Sequence, residues 1–255
     1  MTRTLTTLAA VTLTVAGTAQ ASLIYSDSLT GSVTELNGTT VDFSSGTAGG
    51  TSGATWIAAA TYNQTATGTI GTDGGVQGAY LPFTPQTGYV YKLSATMEYL
   101  DTEPSNWAAL GFRTGDAIVT GGAFHEVSGS DAYSWALVRA SGTPQFFKGG
   151  NIGEEYGNFA TDAQSGLQTL TITLDTTGTN WTSHATIDGY DSATFTYGTN
   201  PTNIAYVSFG GVGSITNTTN FSLSEGITAV PEPGSLLSLG GLVGAGMCLR
   251  NRRRK

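Results

Sequence analysis

Residues 89–99, which read YVYKLSATMEY, decide the fold class of this chain. The odd-numbered positions of this stretch are all aromatic or apolar, whereas four of the five even-numbered positions are polar. Successive side chains of a β-strand point to opposite faces, so this alternation over eleven residues predicts a long strand with one buried face.

Shorter patterns of the same kind recur along the chain, separated by Gly-rich links. They predict strands at 23–29, 41–43, 106–112, 133–138, 170–174, 181–187, 194–197, 204–209 and 221–223. The dipeptide Asp188-Gly189 is typical of a tight hairpin turn. Repeats of fixed period are absent, which argues against propellers and solenoids. We therefore predict an all-β chain whose residues 22–228 form a single antiparallel β-sandwich of the jelly-roll kind.

The charge of this predicted domain differs from that of the whole chain. The 255 residues carry a formal net charge of −8, but the span from Ser22 to Val230 holds four basic and 17 acidic residues, a net charge of −13. Such an acidic surface repels nucleic acid and anionic lipid, so we expect neither as a partner. The only cysteine, Cys248, lies beyond this span, so disulfides cannot hold the domain together.

The N-terminus has the pattern of a signal peptide. Arg3 precedes a mildly apolar stretch at 5–16, and Ala19-Gln-Ala21 has the small-x-small pattern that signal peptidase recognises. We therefore predict that residues 1–21 are a signal peptide and that Ser22 is the first residue of the mature protein.

The C-terminus combines three features in a fixed order. The tripeptide 231–233 reads Pro-Glu-Pro, the segment 235–249 is uncharged, and five of the last six residues, 250–255, are basic. Prolines keep a chain extended, and basic residues hold a C-terminus in the cytoplasm. At 15 residues, the apolar segment is shorter than the ~20 residues of a standard membrane-spanning helix. We predict a short hydrophobic helix that inserts transiently into the membrane while the domain faces outward.

This arrangement resembles the PEP-CTERM sorting signal of bacterial exported proteins, over residues 229–255. The resemblance implies sorting by exosortase, a membrane-embedded cysteine protease, with cleavage near the Pro-Glu-Pro and release to an extracellular or cell-surface location, often with extracellular polysaccharide. A permanently membrane-anchored surface protein, with its tail retained, is the alternative. The residues that match the signal are Pro231, Glu232, Pro233, Arg250, Arg252, Arg253 and Arg254.

The domain itself resembles lectin-like jelly rolls of the laminin G and concanavalin type. The matching stretches are 79–83, 89–94, 107–112, 181–189 and 220–223. The resemblance implies a β-sandwich whose architecture permits glycan binding, and it assigns no activity.

Motifs of catalysis are missing from the sequence. His125-Glu126 lacks the second histidine of a zinc protease, and no Gly-x-Ser-x-Gly elbow is present. We expect no catalytic residue, with an enzyme that acts on polysaccharide through distant paired carboxylates as the alternative. A structural calcium ion is a further option, because Asp73, Asp101 and Asp188 are acids in turn-forming sequence.

Aromatic residues outside the strand patterns are the candidates for glycan contact, because sugars stack on exposed rings. These are Trp56 and Tyr62, whereas the other tryptophans lie in strand patterns typical of a core. The alternating Thr169, Thr171 and Thr173 indicate the solvent face of a strand. The sequence thus predicts an exported, non-catalytic protein that associates with extracellular polysaccharide or another surface through weak contacts.

Overall fold

The computed structural model describes residues 21–32, 34–60, 62–71, 76–99, 106–114, 132–139, 144–147, 155–158, 166–212 and 216–226. They all lie in one compact unit that spans residues 20–227. A second unit comprises residues 1–19 and 228–255, and none of its residues is described.

Eighteen β-strands make up the described part of the chain. Their bounds are β1 Ser22–Asp27, β2 Thr34–Glu35, β3 Phe43–Ser44, β4 Ile57–Ala58, β5 Tyr62–Thr65, β6 Gly68–Gly71, β7 Val76–Pro82, β8 Val90–Tyr99, β9 Trp107–Arg113, β10 Ala132–Arg139, β11 Pro144–Phe147, β12 Glu155–Asn158, β13 Leu167–Asp175, β14 Thr182–Ile187, β15 Tyr190–Asp191, β16 Phe195–Thr196, β17 Tyr206–Val212 and β18 Thr216–Gly226.

The strands form two antiparallel sheets. An eleven-stranded sheet has the order β15-β14-β13-β8-β18-β6-β5-β2, with β1 between β18 and β3, and β16 paired with β14. A seven-stranded sheet has the order β12-β11-β10-β9-β17-β7-β4. This arrangement confirms the predicted single antiparallel sandwich, whose strands come together from distant parts of the chain.

The main hydrophobic core lies between the facing sides of the two sheets. Tyr91, Leu93, Ala95 and Met97 of β8 are all buried in it, as the alternation of the quoted stretch predicts. The opposing sheet also contributes alternate residues of its strands to this core, for example Leu110 of β9. The core therefore consists of the side chains that point inward from both sheets, which are every second residue along each strand.

Strand β9 is the central strand that the sequence predicts. All of its residues, Trp107–Arg113, are buried, and it pairs with β10 on one side and β17 on the other. The predicted tight turn is also present, since Asp188 (φ 46°) and Gly189 (φ 90°) both adopt the left-handed conformation between β14 and β15. The hairpin strands β5 and β6 were not predicted, because their short polar sequence lacks an apolar alternation.

The first and last described strands are neighbours. Strand β1 pairs antiparallel with β18, so that Ser22 lies opposite Glu225. The chain therefore enters the sandwich at Ser22 and leaves it after Gly226 at the same end of one strand pair.

Candidate functional site

The residues predicted for export lie mostly outside the described part of the chain. This applies to Ala19, to the Pro-Glu-Pro at 231–233 and to the arginines of 250–254. Ala21 is exposed, and Ser22 is the first residue of β1. The predicted C-terminal helix also falls outside, and the described residues include no helix that is long and apolar enough to cross a membrane.

The two aromatic residues predicted to contact glycan are instead core residues. Trp56 and Tyr62 are each 1% exposed. The Trp56 ring meets Phe209 and Phe221 edge to face, with centroid distances of 5.1 and 4.9 Å, and Tyr62 also packs against Phe209. Neither ring presents a face on which a sugar could stack, so this prediction is wrong, because long-range packing covers both rings.

A buried carboxylate accompanies Trp56. The Trp56 Nε1–H donates to Asp27 Oδ2 over 2.7 Å, and the backbone N–H of Leu29 donates to Asp27 Oδ1 over 2.7 Å. Burial raises the pKa of Asp27, and the nearby charge of Asp42 raises it further, while the two hydrogen bonds oppose the shift. Because both of its oxygens already accept hydrogen bonds, Asp27 is a structural carboxylate that fixes Trp56 in the core.

The calcium candidates fall into two groups. Asp73 and Asp101 lie outside the described residues. Asp188 occupies the β14–β15 turn, where its Oδ1 accepts the backbone N–H of Thr169 over 2.8 Å. Within the described ranges, no group of three or more His, Cys, Asp or Glu side chains is placed to hold a metal ion. The described geometry of Asp188 is therefore that of a turn-forming residue.

The outer face of the seven-stranded sheet carries a second apolar cluster. Trp135 stacks on Phe147 with a centroid distance of 4.0 Å and an interplanar angle of 9°, and Trp107 packs beside them. All three rings are at most 4% exposed. This face therefore offers packed rather than open aromatic surface.

The outer face of the eleven-stranded sheet is different, because it is lined with hydroxyl groups. Directly paired residues of an antiparallel sheet lie on the same face, so the strand register shows which side chains are neighbours. One continuous line of pairs crosses β1, β18, β8, β13 and β14, and it consists entirely of serine and threonine. We call it the serine–threonine row, and its members in spatial order are Ser26, Ser222, Ser94, Thr171 and Thr186.

Exposed groups of other kinds close both ends of the serine–threonine row. Phe43 of β3 pairs with Ser26 and is 45% exposed, which makes it one of the few large apolar side chains on the surface. Asp191 of β15 pairs with Thr186 at the opposite end. The line from Phe43 to Asp191 thus crosses seven adjacent strands, a distance of about 29 Å at ~4.8 Å per strand.

Cross-strand hydrogen bonds orient the hydroxyls of this face. Ser94 Oγ and Thr171 Oγ1 are 2.9 Å apart, and Ser94 Oγ also donates to the Leu170 carbonyl over 3.2 Å. Thr186 Oγ1 donates to Asp191 Oδ1 over 2.7 Å. Each hydroxyl has one donor and two acceptor positions, so these bonds use only part of its capacity. The Ser94, Thr171 and Thr186 hydroxyls therefore keep acceptor capacity for a further hydrogen bond.

A second, shorter line of hydroxyls runs parallel to the first. Thr219, Thr96 and Thr169 pair across β18, β8 and β13, and the Thr96 and Thr169 hydroxyls are 3.3 Å apart. Sequence reasoning found two separate strands of this surface, the polar face of residues 89–99 in β8 and the alternating threonines of β13. The missing information was the strand order, since five segments far apart in the chain must become neighbours before their hydroxyls form a line.

A comparison with protein families identifies the C-terminal segment. Residues 229–254 match the model of the PEP-CTERM protein-sorting motif, which includes the Pro-Glu-Pro and all four predicted arginines. The chain therefore carries the sorting motif of an exported protein that exosortase processes. No curated protein matches the sequence of this chain.

Solved structures similar to this one share little sequence with it. The metal-free carbohydrate recognition domain of Emp46p has a TM-score of 0.48 and 10% identity over 67% of this chain and 87% of its own. The Ca²⁺-bound exoplasmic/lumenal domain of VIP36 has a TM-score of 0.48 and 9% identity over 70% and 85%. An endo-1,3-beta-glucanase from Streptomyces sioyaensis has a TM-score of 0.48 and 10% identity over 80% and 96%.

Proposed function

We propose that this protein is released outside the cell by removal of both terminal segments and binds extracellular polysaccharide there without catalysis. One observation carries the binding part of the proposal: five half-buried hydroxyl side chains share a single line on the outer face of the larger sheet. Export is the role of the sorting motif at 229–254. The acidic charge of the body suits solubility outside the cell.

The chemistry of the serine–threonine row suits sugars. Polysaccharides present hydroxyls that both donate and accept hydrogen bonds, and serine and threonine hydroxyls complement them in both senses. Each such bond contributes only about 0.5–1.5 kcal/mol net, because it replaces a bond to water. A single sugar unit would therefore bind weakly, and useful affinity requires many simultaneous contacts.

The position of the chain ends supports release of an intact domain. Because Ser22 and Gly226 end a paired set of strands, cleavage before Ser22 and near residues 231–233 removes no described strand. All described core residues lie between Ile24 and Leu223, so the trimmed chain keeps the described core. We therefore treat residues 22–228 as the mature domain.

The bonding of Asp27 bears on the alternative of an enzyme. A retaining glycosidase needs two carboxyl groups about 5–5.5 Å apart, of which one has a raised pKa. Asp27 has a raised pKa, but Trp56 and Leu29 occupy its two oxygens. This bonding supports a structural role for Asp27 and gives no support to an acid catalyst at this position.

The test is a binding assay on the purified domain 22–228. Soluble hydroxyethyl cellulose, a β-1,3-glucan and mannan are titrated separately, with calcium and again with a chelator, and alginate, which calcium gels, is titrated with the chelator. New reducing ends are measured in parallel. We expect weak, saturable binding to at least one polysaccharide with no release of reducing ends. Absence of binding to every polymer under every condition tested refutes the binding function, and release of reducing ends refutes the non-catalytic role. Binding that disappears in the chelator would identify a structural metal.

A further inference from the structure

We infer that the polysaccharide is neutral and linear and that it lies across the strands, along the serine–threonine row from Phe43 to Asp191. This inference rests on the proposed function and specifies its ligand. It follows from the length, the charge and the ordering of this row.

The length of the row requires a polymer. Its five hydroxyls lie on five adjacent strands, so the first and last are about 19 Å apart at ~4.8 Å per strand. A monosaccharide or disaccharide can reach the hydroxyls of only two or three neighbouring strands. An extended chain that follows the row contacts all five at once, and its affinity grows with every hydroxyl it engages.

The charge of the surface selects a neutral polymer. Serine and threonine are uncharged, and the row ends in the carboxylate of Asp191. The body as a whole carries a net charge of −13, which repels uronic acids and sulfated chains. Lys92 and His184, two residues from Ser94 and Thr186 respectively, are the basic side chains that the described register places on this face beside the row. These two side chains cannot offset that repulsion, whereas a neutral chain experiences none.

The two ends of the row differ in chemistry, which gives a bound chain a defined position. Phe43 provides an exposed ring beside Ser26, and the apolar C–H face of a sugar can cover it. The Thr186 hydroxyl donates its hydrogen bond to Asp191, which leaves Thr186 Oγ1 as an acceptor for a sugar hydroxyl. The hydrogen bond between the Ser94 and Thr171 hydroxyls likewise orients these two groups at the centre of the row. Because hydrogen bonds already order three of the five hydroxyls, those of Ser94, Thr171 and Thr186, binding loses little side-chain entropy there.

The experiment measures binding to each of the four polysaccharides named above by four forms of domain 22–228. These are the wild type, the double variant Thr171→Val with Thr186→Val, the single variant Phe43→Ala, and a control double variant. The control is Thr40→Val with Thr55→Val, an exposed cross-strand threonine pair outside the row. Valine keeps the shape of threonine and suits a strand, so circular dichroism should show the same fold for all four forms.

We expect the row variant to bind hydroxyethyl cellulose about 10- to 100-fold more weakly than the wild type, because each lost hydrogen bond accounts for about three- to tenfold. Phe43→Ala should also weaken binding, and the control should remain within about twofold. Affinity for the neutral polymer should be unchanged in high salt, since the contacts involve no ion pairs.

The outcomes separate this inference from the proposed function. If the wild type binds none of the four polysaccharides named above, the proposed function fails and the inference fails with it. If the wild type binds a polymer but the row variant binds equally well, the function stands and the position of the ligand is wrong. Preference for alginate, or loss of binding in high salt, shows that the ligand is anionic and overturns the inference.

Discussion

Replacement of Trp56 by phenylalanine tests the most specific contact of the core. The change retains an aromatic ring between Phe209 and Phe221 but removes the N–H that donates to Asp27 Oδ2 over 2.7 Å. The carboxylate then keeps its bond from the Leu29 N–H and loses its indole partner. The variant should fold, but with a lower free energy of unfolding.

The size of the loss follows from two contributions. A hydrogen bond to a charged group is worth about 1.5–3 kcal/mol, and the smaller ring adds a packing loss of about 1 kcal/mol. At neutral pH we therefore expect Trp56→Phe to lower the free energy of unfolding by about 3 kcal/mol. For a domain of this size that corresponds to about 6–12 °C in Tm.

The pH dependence distinguishes the hydrogen bond from packing. Burial already holds the pKa of Asp27 above its ordinary value of 3.8, and loss of the Trp56 N–H raises it further. Between 3.8 and this raised pKa, the folded chain holds a proton that the unfolded chain has released, so stability falls as pH rises across the window. At about pH 3 the carboxyl is protonated in both states but can still accept the indole N–H, so the cost of Trp56→Phe should shrink to about 2 kcal/mol, which is the packing part of about 1 kcal/mol plus a neutral hydrogen bond of about 1 kcal/mol.

Urea unfolding followed by circular dichroism, at about pH 3 and pH 7, measures both values. The matched control repeats Trp56→Phe in an Asp27→Asn background, where residue 27 no longer titrates and the cost should be the same at both pH values. An equal cost at both pH values with Asp27 present would show that the charge of Asp27 adds nothing to its contact with Trp56, and it would refute the reasoning.

Two further substitutions test contacts that position the strands. Thr176→Val should lower the free energy of unfolding by about 1–3 kcal/mol, because the buried hydroxyl accepts the Tyr89 N–H over 3.0 Å and donates to the Gln86 carbonyl over 2.7 Å. An unchanged midpoint of urea unfolding would contradict this. Gly49→Ala should prevent folding or lower Tm severely, since the new Cβ would lie 1.9 Å from the backbone oxygen of Thr84 at φ +91°. Gly38→Ala is the control, because its Cβ would meet open space at φ +80° and should lower the free energy of unfolding by only about 1 kcal/mol. Equal effects of the two variants would refute the steric argument.

Sequence reasoning reached the fold class and missed the surface. The alternation of residues 89–99 depends only on local spacing, so the strand β8 and its buried face could be predicted. Trp56 could not be placed correctly, because its burial depends on Phe209 and Phe221, more than 150 residues further along the chain. The sequence around it, rich in alanine and glycine, carries no alternation to signal a core position.

The serine–threonine row also could not be predicted from the sequence, because it depends on the order of the strands. The threonines of β13 are visible in sequence as one polar face, and any exposed strand has such a face. Only the order β1-β18-β8-β13-β14 turns five polar faces into one line. Strand order arises from long-range pairing, which a single sequence with no repeats does not specify.

Intact-mass spectrometry of the protein recovered from the polysaccharide matrix of the native host tests the export and release of the domain most directly. We predict one main species that begins at Ser22 and ends near residues 231–233, without the apolar segment 235–249. Recovery of the chain only from the membrane fraction, with that segment still attached, would contradict release and support a permanently anchored protein.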